Sequence, residues 1–455
     1  MMYELVVENA RTCFDGEMVT CSIGINEGKI VKIGKILKGE QTFDASGLLT
    51  LPGAIDSHVH FRDMGQEEKE DWLSGSKSAI YGGVTTVIDM PNSDPPTFDG
   101  ESFKIKLNVA KNRSMIDFAI NAGVSSRLEE LPKLWMLGAM AFGEIFMAKS
   151  TGGFSVDEET LKKALKYIAG ISATASMHAE DEALHEELKK TLKDDPSTSV
   201  HSKLRPRESE INAVREAVRL ARLTGAAMHI THISTGTAVD MIKTEGITCD
   251  VTPHHLLLNM KHWDRLGAKA KMNPPIRHKA DIDALWKAVQ DGSIEVMASD
   301  HAPHTREEKA ADVRIAPSGV PGVETMIPLM FKAVADNKLT LQRFIDMTSE
   351  NPARIFGISG KGRISEGYDA DLMFIDPSNV RLIKAPDLHS KAGWTPYEGF
   401  EAIFPRAVMQ RGNLLLDDKE FYGKRGEGNF LTGKGYMSPG QKVSEARGRR
   451  REPEL

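Results

Sequence analysis

Between Gly53 and His304 the sequence repeats one pattern eight times: a short, β-prone, mostly apolar run, then a longer segment with helical spacing. The runs are "GAIDSHVH", "GVTTVIDM", "MIDFAINAGV", "GAMAFGEIFM", "TASMHAE", "AAMHITHIS", "ITCDVTPHHLLL" and "IEVMASDHAPH". Parallel strands buried on both faces are near-continuously apolar, and neighbours need a crossover of a dozen or more residues, usually a helix. Eight such units over roughly 300 residues have the size and rhythm of an α/β fold of the (β/α)8 TIM-barrel type. The polar residues gather late in each run, which in such a barrel is the end that carries the chemistry.

The flanks have a different texture. "YELVVENA", "CSIGINEGKIVKIG" and "QTFDASGLLTLPG" alternate β-prone runs with turn signals, and the same texture returns in "GRISEGYDADLMFIDP" and "EAIFPRAVMQRGNLLL". The expected organisation is a barrel over residues 53–355 and a small discontinuous β-sandwich domain from residues 1–52 and 356–425. A flexible tail, rich in glycine and charge, is expected over 426–455. The eight units share a pattern but no recurring sequence, so no internal sequence repeat is evident.

With 58 Lys and Arg against 64 Asp and Glu, the formal charge is −6, which gives no reason to expect nucleic acid or an anionic membrane as a partner. The basic cluster in "RGRRREPEL" reads as a solvated tail. Cys13, Cys21 and Cys249 make no disulfide framework and no CxxC pair, so a reducing cytoplasm fits best. The first residues lack the basic and apolar regions of a signal peptide, and no apolar run reaches the ~20 residues of a membrane span. The expected ligand is a small molecule.

In a strand, residues i and i+2 face the same side, so His58 and His60 in "DSHVHFRD" can converge on one metal ion. The spacing alone also suits the polar end of a buried strand. His178 in "SMHAED", His232 in "ITHIST" and Asp300 in "ASDHAPH" each close a different run, and all five groups would meet at one barrel mouth. Imidazole and carboxylate donors suit zinc, with manganese or cobalt compatible. A metal here would polarise a carbonyl and lower the pKa of water to about 7, the logic of amide hydrolysis.

These motifs, with "MPN" after the second run, resemble the amidohydrolase superfamily, and more narrowly the dihydroorotases of the longer bacterial and archaeal type, from about Met1 to Leu416. The resemblance implies interconversion of N-carbamoyl-L-aspartate and L-dihydroorotate in pyrimidine synthesis, with zinc. It implies His58 and His60 as ligands of one metal, His178 and His232 as ligands of a second, and Asp300 as both ligand and catalytic proton carrier. It implies substrate contacts from Arg62, a clamp on a carboxylate, and from His60, Asn92, Asn273 and His304, with backbone contributions from Ser318 and Gly319. For Asn92 and Asn273 the competing reading is a turn residue beside proline. His254 and His255 in "TPHHLLL" are read as structural or supporting. The resemblance further implies a homodimer and an association with aspartate carbamoyltransferase.

Many relatives place a carbamylated lysine in the fourth strand; here "AFGEIFM" has Glu144 instead, and Lys149 lies beyond the strand end. Two zinc ions bridged by Glu144 are the leading expectation, against a single-metal site with Glu144 orienting a histidine or serving as a buried structural carboxylate. The side chain is shorter than a carbamylated lysine, so bridging requires the strand to lie closer or the metals to shift. The competing functions are a hydantoinase- or allantoinase-type cyclic amidase and a catalytically silent scaffold for the carbamoyltransferase. Arg62 argues for a carboxylate-bearing substrate, and the intact proton-transfer and metal residues argue against a silent scaffold. The polar segment "TREEKAADVRIAPSG" is expected to be an exposed, mobile rim or lid.

Overall fold

The computed structural model describes residues 2–149, 155–418 and 420–437. Eight barrel strands appear in the expected order: Ala54–Val59, Val84–Asp89, Asp117–Ile120, Phe142–Phe146, Thr174–His178, Ala227–Ile230, Thr248–Val251 and Val296–Met297. Parallel ladders join the first three and the last five. Single parallel bridges, Ala122 to Phe142 and Val59 to His301, link the two groups and close the ring. The strands are almost wholly buried, as both faces are covered.

The covering helices follow from pattern and capping. In Glu158–Gly170, Leu161, Ala164, Leu165 and Ile168 form a buried stripe at i, i+3, i+4 and i+7, and the Asp157 side chain accepts from Thr160 N–H at the start. In Arg207–Thr224 the buried stripe runs through Ala213, Val214, Ala217 and Val218, and the helix stops at Gly225 in the left-handed conformation. Among the described residues no helix is long and apolar enough to cross a membrane.

Both flanks build one β layer, which among the described residues has nine strands. Tyr3–Phe14 pairs with Glu17–Asn26, and Leu49–Pro52 runs antiparallel to Leu372–Ile375, which continues onto Ala407–Gln410. Val7, Ile23, Leu372 and Phe374 are fully buried in a core separate from that of the barrel. The fold is therefore a barrel carrying a small β-sandwich-type unit drawn from both ends of the chain. The two are tied by charge: Lys361 Nζ lies 2.7 Å from Asp117 of the third barrel strand and 3.0 and 2.6 Å from Asp369 and Asp371 of the flank. These three carboxylates are close enough together to hold a metal ion, but the ammonium already occupies their centre.

Three expectations are corrected. The seventh run does not continue as a strand through "TPHHLLL": it ends at Val251, and Thr252 caps a short helix Pro253–Leu257, because a proline fits the first helical turn and cannot donate to a ladder. The segment after His304 is exposed or half-buried over most of its length, as expected, but it is corrected in being structured: Thr305 and Glu308 form a capping box on helix Arg306–Ala310, and Lys309 is buried. The glycine-rich stretch from residue 426 is docked as far as residue 437. Phe118 N–H donates to Asn429, Leu431 N–H donates back to Phe118, and Phe430 packs on the Phe118 ring. A Cβ on Gly428 would stand 1.9 Å from the Ile116 carbonyl, and one on Gly433 1.9 Å from that of Ala139, so these glycines serve close approach rather than flexibility. The remainder of the expected tail, 438–455, lies outside the described residues.

Candidate active site

At the carboxyl ends of the barrel strands, His58, His60, Glu144, His178, His232 and Asp300 are all buried and form one connected cluster. His58 Nε2 lies 3.2 Å from His60 Nε2, 3.5 Å from Asp300 Oδ1 and 3.7 Å from Glu144 Oε2. Glu144 Oε1 lies 2.9 Å from both His178 Nδ1 and His232 Nε2, which are 3.2 Å from each other. Two groups of donors are thereby compact enough for a cation, His58 with His60 and Asp300, and His58 with Glu144 and His232. All six residues expected as ligands converge, and the two Glu144 oxygens face different members of the set.

The donor chemistry fits a divalent metal. Burial alone would raise the Glu144 carboxyl, but hydrogen bonding to His178, His232 and His58 outweighs it and holds the group well below the ordinary carboxylate range. Asp300 is likewise held low against burial, by His60 and by the charges of His58 and His232. Burial would lower the His58 imidazole, yet Glu144 and Asp300 lift it to about 10. The carboxylates thus demand positive charge at this point, and imidazole nitrogens beside them are zinc-type donors.

The surroundings explain why the donors sit where they do. Asp56 Oδ1 accepts from the amides of His58 and Ser299, locking the first barrel strand to the eighth, and Asp250 Oδ1 accepts from the amide of His232. His178 Nε2 lies 2.8 Å from Glu180 Oε2, and Glu180 is paired with Arg205, so the ring is oriented with Nδ1 toward Glu144. Gly143 has φ +148, and a Cβ there would stand 2.4 Å from the Ser176 carbonyl. The fourth strand therefore lies hard against the fifth, which brings the short Glu144 side chain up to His178. Arg62, His232 and Asp300 have φ of +56, +39 and +43, left-handed conformations that non-glycine residues adopt at a cost and that cluster at working sites.

A cavity of about 410 Å³ opens over this cluster. Arg62, Asn92, Asn273, His304, Ser318 and Gly319 all line it, as does His60. Arg62 makes no hydrogen bond or ion pair among the described residues, and its Nε is buried without a partner. Asp89 fixes the backbone just before it by accepting from Phe61 N–H at 2.8 Å, and buried Lys106 pairs with Asp89. His201 Nε2 lies 3.0 Å from Asn273 Oδ1, and His255 Nε2 lies 2.9 Å from the Pro274 carbonyl, so both histidines support the asparagine turn. Burial, with the charges of Arg62, Lys309 and Lys69, pushes the His304 imidazole far down, so it is neutral, with Nε2 3.1 Å from the Ser318 carbonyl. Gly319 N–H is already given to the Lys271 carbonyl, which leaves Ser318 as the residue of that pair with an amide free of protein partners among the described contacts. Lys149 is exposed at the strand end, with its Nζ 3.7 Å from Glu182, away from the cluster.

Some supporting residues escaped the sequence reading. Glu180 stands at i+2 from His178, the same spacing that singled out His58 and His60, and could have been found by it. Lys69 and Gln66 also line the cavity, and Lys69 pairs with Glu308 at 3.0 Å across its rim. Arg205, His201 and Lys309 lie in helical or loop segments where nothing local marks them.

Comparison with known proteins agrees with this geometry. Residues 49–409 match the model of the amidohydrolase family. The dihydroorotase of Methanosarcina mazei is 47% identical over 453 residues, covering 96% of this chain and 99% of its own. The allantoinase of Rubrobacter xylanophilus is 34% identical, covering 91% of this chain and 94% of its own. Among solved structures, the L-hydantoinase (dihydropyrimidinase) of Arthrobacter aurescens superposes with a TM-score of 0.91 at 29% identity, covering 94% of this chain and all of that one. The chain therefore belongs to the amidohydrolase family and, within it, to the dihydroorotases.

Proposed function

We propose that the chain interconverts N-carbamoyl-L-aspartate and L-dihydroorotate, closing the ring with loss of water as a step of pyrimidine synthesis toward UMP. The observation that carries this reading is the unpaired guanidinium of Arg62, half-buried in the cavity wall with its Nε shielded from solvent. A partly desolvated charge without a partner is costly, and a guanidinium keeps its charge, so the site is built to be completed by an anion. The ring carboxylate of dihydroorotate supplies one; neutral hydantoin and allantoin rings do not. The same observation ranks the hydantoinase- or allantoinase-type reading second.

His58, His60, Glu144, His178, His232 and Asp300 would hold the zinc, which when bound would supply Lewis acidity toward the ring carbonyl and a lowered pKa for water. The two oxygens of Glu144 face different histidines, and the close approach that Gly143 allows brings them there, so the donor set would suit two ions per chain rather than one. Arg62 holds the ring carboxylate in a forked pair of hydrogen bonds, helped by Asn92 and neutral His304. Ser318 N–H and Asn273 orient the ureide portion. In ring opening, Asp300 takes a proton from the attacking water and passes it to the ring nitrogen as the carbonyl C–N bond breaks. Closure runs through the same groups in reverse. Homodimeric assembly and association with aspartate carbamoyltransferase rest on the family resemblance, and a cytoplasmic setting on the cysteine usage.

The test is turnover by the purified, zinc-loaded chain on dihydroorotate, carbamoyl-aspartate, allantoin and hydantoin. Turnover confined to the first two is expected; opening of allantoin or hydantoin with dihydroorotate untouched would support the second reading, and none at all would favour a scaffold.

A further inference from the structure

Lys309 stands on helix Arg306–Ala310 behind the cavity wall and is 3% exposed. Its Nζ lies 3.0 Å from the Lys271 carbonyl, 2.9 Å from that of Pro317 and 3.0 Å from that of Gly319. It forms no ion pair with a carboxylate among the described residues. An ammonium has three N–H donors, whereas a neutral amine has two and would turn a lone pair on the third carbonyl. Three carbonyls around one nitrogen therefore match the charged form. Burial, then the nearby Lys271 charge, push its pKa well down, with a smaller opposing pull from Glu308; three carbonyls accepting from the ammonium act against that cost. The Trp394 ring lies 5.6 Å from the Nζ, and its indole N–H donates to the His304 carbonyl at 2.8 Å.

The three carbonyls belong to two strips of backbone at the cavity edge. Ser318 and Gly319 line the cavity, and Lys271 lies two residues before Asn273, which also lines it. Gly319 N–H donates to the same Lys271 carbonyl at 2.9 Å, and a Cβ on Gly319 would stand 2.4 Å from the Ala302 carbonyl. The strip is thus pressed against the chain that follows Asp300 and pinned from behind by one ammonium. That charge, unpaired and in a low-dielectric setting, also acts on an anion in the cavity more strongly than a solvated lysine would.

We infer that Lys309 is a positioning and specificity-determining residue: it fixes the backbone at Lys271 and Pro317–Gly319 against the ligand and biases the cavity toward carboxylate-bearing ligands. The charge half of this inference rests on the proposed substrate, whereas the positioning half does not.

Full-length, zinc-loaded Lys309→Met and Lys309→Arg are compared with wild type in two measurements. In steady-state kinetics, Lys309→Met is expected to raise KM for dihydroorotate about tenfold, and for the doubly charged carbamoyl-aspartate more, with kcat within about threefold. Lys309→Arg, which keeps the charge, is expected to fall between the two. In hydrogen exchange without ligand, the Gly319 amide is expected to exchange about tenfold faster in Lys309→Met while amides of Thr174–His178 stay unchanged. Unchanged KM values, or a loss confined to kcat, would overturn the specificity role, and unchanged exchange at Gly319 would overturn the positioning role. If Lys309→Met does not fold, Lys309→Arg decides alone: a planar guanidinium cannot set three donors on the same carbonyls, so KM should rise about threefold, and no change overturns the inference. Absence of wild-type turnover would count against the proposed substrate and the charge half with it, and the exchange measurement would still decide the positioning half.

Discussion

Glu144 Oε1 lies 2.9 Å from His178 Nδ1, and the other nitrogen of that ring lies 2.8 Å from Glu180 Oε2. One imidazole is thus held between two buried carboxylates, one inside the donor cluster and one behind it. If Glu144 bridges two ions, Glu144→Ala should lower bound zinc from about two per chain to one or fewer, with the fold intact. Metal analysis of the dialysed protein with circular dichroism checks this; unchanged occupancy removes Glu144 from the ligand set.

Glu180 should act on the metal site through His178. Replacing it by glutamine keeps its volume but weakens the hold on the ring, and supporting partners of this kind are worth about 10–100-fold in metal affinity. Competition with a chelator measures the change. Affinity equal to wild type would mean that packing alone orients His178.

Gly143 is a place where a single methyl group should be felt. At φ +148, with the Ser176 carbonyl 2.4 Å from the Cβ position, Gly143→Ala should cost about 2–4 kcal/mol and reduce zinc content by displacing Glu144. Gly225→Ala is the control, since nothing lies within 4 Å of its Cβ position and only the left-handed backbone is strained. It should cost about 1 kcal/mol and leave zinc content unchanged. Denaturant midpoints and metal content of the two variants decide it, and equal behaviour would contradict the account.

His185 gives a pH dependence with a definite sign. It is buried, and burial lowers its imidazole to about 4, with Ser209 Oγ 2.7 Å from its Nε2. The unfolded chain takes up this proton near pH 6.5 and the folded one only near 4, so stability is complete above 6.5 and is lost as pH falls through that window. Between pH 7.5 and 5 this one group should remove about 2 kcal/mol. His185→Leu should therefore lose about 2 kcal/mol less than wild type over that interval in urea titrations, with the other buried histidines contributing equally to both. Equal losses would mean that His185 titrates normally in the fold.

The barrel was legible because burial on both faces leaves apolar runs, and its ligands because each closes a run. His58, His60, His178, His232 and Asp300 needed only strand periodicity and position. Glu144 was found as a departure from a pattern, but how its short side chain reaches the cluster depends on Gly143 meeting Ser176, a contact between strands that no local signal carries. Arg205, His201 and Lys309 were invisible for the same reason: a helical lysine in "REEKAA" reads as solvated until the fold closes three carbonyls around it. The docking of Gly428–Gly433 was misread because glycine supports both flexibility and close approach, and only the neighbouring Ile116 and Ala139 carbonyls distinguish them.

The most direct test of the central claim is the kinetics of Arg62→Gln, zinc-loaded, on dihydroorotate. If Arg62 is the grip on the substrate carboxylate, kcat/KM should fall at least about 100-fold, a loss of roughly 3 kcal/mol, while bound zinc stays at the wild-type level. A kcat/KM within about threefold of wild type, at equal zinc content, would contradict it.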